Sequence, residues 1–301
     1  MASLAQTAKG RALDIRAILM GVAFAFMWSS AFASARIIVA DAPPLSALAL
    51  RFLISGLLGV LIARLLGQSW RLTPPQWRAT IIFGICQNAL YLGLNFVAMQ
   101  TIEASLAAII ASTMPLLVAL ALWVFYGEKA TPLAIAGLLA GLIGVMIVMG
   151  NRLSGGVDLY GLMLCVGGVI ALTVATLMVR GATSGGNFLM IVGLQMLVGS
   201  AVLAVVAAGT ETIQITWSWQ LIAAFAYTTL VPGLAATLVW FHLVGQIGAT
   251  RAATFHFLNP FLGVTIAAVL LGEALGLADL VGVAVIMAGI LAVQVSRQRS
   301  A

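Results

Sequence analysis

The sequence predicts an all-α membrane protein: ten transmembrane helices in two inverted five-helix repeats, with both termini cytoplasmic. Three observations lead there. The first is composition. Of 301 residues, 63% are hydrophobic and 7% charged, with a mean hydropathy of +1.16. A soluble domain carries about 25% charged residues. A water-soluble core cannot hide this much apolar surface, so the solvent must be lipid. The second is repetition. Residues 98–148, moved forward by 145 positions, land on 243–293. Pro115 falls on Pro260, Gly127-Glu128 on Gly272-Glu273, Gly137 on Gly282 and Gly144 on Gly289. Apolar matches between apolar helices are cheap; a proline, a Gly-Glu pair and two further glycines in register are not, and such repeats decide architecture. The third is the distribution of charge, taken up below.

Only helices and closed barrels satisfy their backbone groups in lipid. The apolar runs here are long and unbroken, close to the roughly 20 residues that a spanning helix needs. Lys9, Arg11 and Arg16 precede the first run, and Ala31-Phe32-Ala33 resembles a signal-peptidase site. That run continues to Val39 and other spans follow, so a transmembrane helix at 16–38 is expected rather than a cleaved leader. Further helices are expected at 44–66, 79–100, 104–126 and 132–149. Residues 1–150 make the first repeat. A Gly- and Ser-rich linker, Asn151 to Asp158, leads into the second, 151–301, with helices at 159–180, 187–209, 219–243, 250–271 and 276–295. Pro43-Pro44, Thr73-Pro74-Pro75 and Thr131-Pro132 mark helix starts, where a missing N–H costs nothing. No connection is long enough to be a soluble domain.

Charge orients the bundle. With the N-terminus inside, Lys9, Arg11, Arg16, Arg64, Arg71, Arg78, Lys129, Arg180, Arg251, Arg297 and Arg299 fall on the cytoplasmic side, against Arg36 and Arg152 outside. The positive-inside rule then puts both termini in the cytoplasm. Five helices is an odd number, so the second half enters from the opposite face and the repeat is inverted. Many secondary transporters have this build, with a substrate site near the midplane between two halves. The net charge of +6 is too scattered for a nucleic-acid patch. Cys86 and Cys165 lie inside apolar runs, which excludes a disulfide framework and any zinc spacing.

These residues resemble the drug/metabolite transporter superfamily, EamA type. The repeated Pro115…Gly127-Glu128…Gly137…Gly144 pattern carries the resemblance, together with Trp28-Ser29-Ser30-Ala31-Phe32 and Arg51-Phe52 in the first two helices. Within that superfamily the chain looks most like the YddG-like exporters of aromatic and other amino acids. The resemblance implies a multi-pass carrier of the cell's inner membrane with a central cavity lined by both halves.

Polar groups inside a membrane are functional candidates. In the third helix Asn88, Tyr91 and Asn95 fall at i, i+3 and i+7 and are expected on one face, either as a cavity wall or as glue between helices. The eighth helix offers Trp240 and Thr237, with Tyr227 nearer its outer end. Trp240 is equally readable as packing. His256 and Asn259 precede Pro260 in the ninth helix. Pro260 has no N–H to donate to the His256 carbonyl, so substrate binding at a weakened helix is one reading and a histidine bonded to a neighbouring helix is the other. Pro115 is the symmetric helix break. Trp28 and Ser30, with Ser29 and Ser34, are expected along the cavity side of the first helix. Arg51 is the odd charge; pairing with Asp41 is preferred over attraction of a substrate carboxylate.

The function expected is an alternating-access carrier exporting amino acids, aromatic ones included, with broad selectivity. No carboxylate lies at mid-membrane depth and there is no phosphate-binding loop, so a facilitator is expected, or coupling through His256. Its partners are a small-molecule substrate and the bilayer; no nucleic acid, cofactor or metal is expected, no catalytic residue stands out, and the sequence leaves the oligomeric state open, a monomer included. A carrier of sugars, nucleotide-linked sugars or drugs is the nearest alternative. A non-transporting scaffold or membrane enzyme is the more distant one.

Overall fold

A computed structural model of the chain describes residues 15–178 and 185–300. Lys9, Arg11 and Arg180, which carry part of the charge bias, lie outside the described residues. Among those described there is no strand, and ten helices are long and apolar enough to cross a membrane. They are α1 (Ile15–Asp41), α2 (Pro44–Leu65), α3 (Pro74–Ala98), α4 (Ala104–Tyr126), α5 (Pro132–Gly150), α6 (Leu159–Met178), α7 (Phe188–Thr210), α8 (Trp219–Ile247), α9 (Ala253–Leu271) and α10 (Leu277–Gln298). The expected spans fall on these within a few residues. The largest gap is at α3, which starts at Pro74 because the Gln76 side chain accepts the Thr73 N–H and caps that end.

The surface is apolar, as lipid allows. Phe125 is 81% exposed and Val205 76%, whereas Phe52, Phe96, Leu106 and Ile109 are fully enclosed. With no hydrophobic drive between helices in lipid, small residues let backbones approach closely. The α5–α10 pair does this. A Cβ placed on Gly137 would lie 2.7 Å from the Gly289 carbonyl oxygen, and one on Gly144 would lie 2.7 Å from that of Gly282. An early residue of α5 thus meets a late residue of α10, so the two helices run antiparallel. Gly137 and Gly282 are repeat-equivalent, as are Gly144 and Gly289. Each therefore packs on the equivalent of the other, which is the reciprocal contact a two-fold axis produces. The α2–α7 pair is antiparallel too: the Ser200 hydroxyl donates to the Ala49 carbonyl at 2.7 Å, and Gly193 packs on Val60.

Irregular turns also fall at equivalent places. A π-helical segment interrupts α3 at Gly84–Tyr91 and α8 at Val231–Ala235. Breaks at Thr113 and Leu258 precede Pro115 and Pro260. Both Gly127 and Gly272 end their helices with φ near +70°, at 67° and 69°, a left-handed conformation that glycine adopts without strain. Beyond Gly272, the Glu273 carboxylate accepts the backbone N–H groups of Ala104 and Ser105 at 2.7 and 2.9 Å, capping α4 and tying the halves together.

Candidate functional site

Two cavities lie one above the other along α1. The upper one is a mouth of about 770 Å³ at the face where α1 ends, lined by Arg36, Asp41, Gln100, Glu103, Gln220 and Glu273 among others. That volume is in the range of ligand pockets, about 300–1,000 Å³. The lower one is buried among α1, α2, α3 and α8 and measures about 50 Å³. Such a space admits a water or two and no metabolite. Between the two, the Arg36 guanidinium donates to the Met99 carbonyl and joins α1 to α3.

The lower cavity gathers several of the expected residues. Trp28, Tyr91 and Asn95 line it, with Phe32, Phe96, Arg51 and Pro232. Asn95 is held in place: its amide nitrogen donates to the Tyr91 carbonyl at 2.7 Å, and its oxygen accepts the Cys165 thiol at 3.3 Å.

Asn88 does not join Tyr91 and Asn95, and the shared face expected for the three is corrected. Its amide donates to the Gln195 carbonyl at 2.9 Å, and it packs on Gly199. The i, i+3, i+7 rule assumes regular α-helix. The π segment between Gly84 and Tyr91 closes wider turns, and this rotates Asn88 toward α7.

Ser30 and Tyr227 meet each other instead of the cavity, hydroxyl to hydroxyl at 2.8 Å, and join α1 to α8. The Thr237 hydroxyl donates to the Gly233 carbonyl at 3.0 Å, one turn back.

Below the cavity lies an aromatic cluster. The Phe24 ring stands 4.7 Å from Trp240, 5.7 Å from Trp28 and 5.4 Å from His256, edge-on to the last; Trp240 and His256 are 5.3 Å apart. These spacings are those of attractive aromatic packing. The cluster lies on the side of the cavity away from the mouth. His256 Nδ1 faces the Asn259 amide nitrogen at 3.0 Å, and the Ser29 hydroxyl reaches the Asn259 carbonyl at 3.4 Å. The Asn259 side-chain oxygen is buried with no partner. The His256 carbonyl that Pro260 leaves is recovered by the Asn259 N–H, because the chain tightens to a 3₁₀ turn over Ala253–Leu258. At the symmetric break, Ser112 and Thr113 hydroxyls donate to the Ile109 and Ile110 carbonyls, both at 2.7 Å, ahead of Pro115.

Arg51 is the residue that sequence reasoning misplaced. It is 5% exposed, and no carboxylate among the described residues pairs with it. Asp41 instead accepts the Ser218 hydroxyl at 2.6 Å. Arg51 Nε donates to the Thr228 carbonyl at 3.2 Å, and its guanidinium carbon lies 5.1 Å from the Phe52 ring centre. The signal was present in the sequence. Pro232 stands four residues after Thr228 and has no N–H to give it, so that carbonyl needs a donor from outside the helix. The Ser55 hydroxyl does the same for Thr229 at 3.0 Å.

Among the described residues no three His, Cys, Asp or Glu side chains group together in a way that could hold a metal ion. The arrangement is a wide mouth at one face, a small polar and aromatic cavity beneath it, and a cluster of aromatic rings beyond that.

Known proteins agree with this form. The sequence model of the EamA-like transporter family matches twice, over residues 15–150 and 159–294. YvbV of Bacillus subtilis (strain 168), described as an uncharacterized transporter, is 26% identical over 276 residues, covering 91% of this chain and 90% of that protein. YedA of Escherichia coli (strain K12), described as an uncharacterized inner membrane transporter, is 28% identical over 292 residues, covering 93% and 91%. Protein PecM of Dickeya dadantii (strain 3937) is 24% identical over 272 residues, covering 87% and 86%. A solved crystal structure superposes with a TM-score of 0.67 at 22% identity, covering 95% of this chain and 99% of that one, a likeness of fold. Two matches of one family model spread over nearly all of a ten-helix membrane chain leave one conclusion: the chain belongs to the EamA-like transporter family.

Proposed function

We propose that this transporter is an alternating-access carrier of the cell's inner membrane that exports amino acids, aromatic ones included. The observation that carries the reading is a wide mouth above a contracted cavity. A mouth of about 770 Å³ stands open at one face, and the ring cluster of Phe24, Trp28, Trp240 and His256 lies on the far side of the cavity. The cavity between them holds an indole, a phenol, an amide and a guanidinium, groups that suit a zwitterion with an aromatic body. At about 50 Å³ it is contracted, so its walls must part for a substrate to enter.

Residues 1–150 and 151–301 are the two halves that move, with both termini cytoplasmic. The mouth then faces outward and the aromatic cluster lies toward the cytoplasmic side. The breaks before Pro115 and Pro260 lie where the helices around the cavity must bend. Apolar walls with few polar groups give broad selectivity, because one methylene changes affinity by only about 1–3 kcal/mol. Every described carboxylate sits at a helix end or in a connection. With no proton relay at mid-depth, transport runs down the substrate gradient.

The test is uptake of labelled phenylalanine, threonine and a nucleotide sugar by liposomes carrying the purified protein, with and without a pH gradient. Saturable amino-acid flux, indifferent to the gradient, is expected. Movement of the nucleotide sugar alone keeps the carrier and overturns the substrate.

A further inference from the structure

We infer that Arg51 is the anion-binding group of the central cavity and takes a carboxylate of the transported molecule. Arg51 is the eighth residue of α2 counted from Pro44, about 10 Å along the helix from its end. A charge at such depth is costly unless it is paired. No carboxylate among the described residues pairs with this one. Asp41 is bonded to Ser218, Asp158 to Thr101, Glu211 to the start of α2 and Glu273 to the start of α4. Asp279 turns to the Gly276 N–H, and Glu103 and Glu128 stand at the two ends of α4.

The guanidinium is also oriented. Its Nε is fixed on the Thr228 carbonyl, and its guanidinium carbon lies 5.1 Å from the Phe52 ring centre. One of its Nη atoms lies beside Gly233, where an added Cβ would stand 3.8 Å away, at ordinary contact distance. The N–H groups on both Nη atoms meet no acceptor among the described residues. They are not sealed in either. Among the described residues the buried side-chain polar atoms without a partner are Asn259 Oδ1 and Gln294 Oε1, and no Arg51 atom is among them. The Nη atoms therefore open on the cavity that Arg51 lines with Trp28, Tyr91 and Asn95. A planar fork with two free amines matches a carboxylate bidentately. The aromatic walls beside it take an apolar body. One positive charge balances one negative charge, so a monoanionic carboxylate fits and a dianionic phosphate is left with excess charge inside the bundle.

This inference rests on the carrier reading and narrows its substrate to molecules with a carboxylate. The test is the thermal stability of the purified full-length protein in detergent, because a ligand that binds the folded form raises the melting temperature. The probes share one ring: 3-phenylpropionate has the carboxylate alone, phenethylamine the amine alone, 3-phenylpropionamide neither charge, and phenyl phosphate a dianion. Stabilisation by 3-phenylpropionate, and by neither phenethylamine nor the amide, is expected. Arg51→Gln should weaken that binding by about 10- to 100-fold, the loss of hydrogen bonds to a charged group. Arg51→Lys should restore part of it, as a point charge without the fork. Equal stabilisation by the amine, greater stabilisation by the phosphate, no stabilisation by the carboxylate, or an unchanged response in Arg51→Gln each overturns the inference. The probe series on the wild-type protein decides the matter even where a variant does not fold. If 3-phenylpropionate binds through Arg51 but labelled phenylalanine does not cross liposomes, the amino-acid reading fails and the anion site stands. If phenylalanine crosses and phenethylamine competes with it as well as 3-phenylpropionate does, the reading stands and the anion site fails.

Discussion

Replacing Gly289 with alanine adds one methyl group where α10 packs on the backbone of α5. The new Cβ would stand 2.6 Å from the Gly137 carbonyl oxygen, 2.7 Å from the Gly141 nitrogen and 3.0 Å from the Gly141 Cα. Ordinary contact begins at 3.4 Å, so the shortest of these falls about 0.8 Å short. All three partners are backbone, and no rotamer change relieves them. The helices must separate along their length, which breaks the matching contact of Gly144 on Gly282 as well. Overpacking of this kind costs about 1–3 kcal/mol, occasionally more. Gly245→Ala is the control. It lies within α8 with nothing within 4 Å of an added Cβ, and alanine is favoured over glycine in a helix by up to about 1 kcal/mol. Thermal unfolding in detergent, followed by light scattering or tryptophan emission, compares the two. Gly289→Ala should melt several degrees below the wild type, and Gly245→Ala at or above it. A Gly289→Ala protein that melts with the wild type would refute the close antiparallel seam.

Other changes separate site from scaffold. Trp240→Ala should lower transport more than it lowers membrane abundance, since the ring packs against both Phe24 and His256 below the cavity; equal losses of both would assign it to packing. Asn88→Ala should do the reverse and lower stability by about 1–2 kcal/mol, with transport following abundance, because its amide holds α3 to α7 through Gln195. Glu273→Ala should destabilise by about 0.5–2 kcal/mol, the loss of a helix N-cap, and a neutral effect would show that α4 needs no partner from the other half. At Asp158, outside the membrane segments, the Thr101 hydroxyl and the Gly161 N–H hold the carboxyl below the usual aspartate range. Its stabilising effect is therefore complete above the unfolded pKa and fades as pH falls through the folded one. Asp158→Asn should flatten the acid limb of a melting-temperature profile; an unchanged limb would assign the acid sensitivity to other carboxylates.

The ten spans were legible because lipid demands long apolar helices and leaves little freedom in where they begin. The repeat was legible because glycine and proline have positional meaning: Gly127 and Gly272 must take positive φ, and Gly137 and Gly144 must touch backbone. The site was less legible, for two physical reasons. A regular 3.6-residue period put Asn88 on the face of Tyr91 and Asn95, and nothing in Gly84–Tyr91 announces the π turns that move it. Arg51 was matched to Asp41, an acid near it in sequence, although the partner it found is a carbonyl 177 residues away. Pro232 marked that carbonyl, but the prolines singled out were those of the repeat. The Phe24 ring at the centre of the aromatic cluster looked like any other apolar residue, since aromatic packing across three helices has no local signature.

Counterflow tests the carrier account most directly. Liposomes holding the purified protein and loaded with unlabelled phenylalanine are diluted into a trace of labelled phenylalanine, with no pH gradient. A site exposed to one face at a time predicts that label accumulates transiently inside above its outside concentration, and only in loaded liposomes. Label that merely equilibrates, at the same rate in loaded and empty liposomes, would contradict alternating access to a phenylalanine site in this chain.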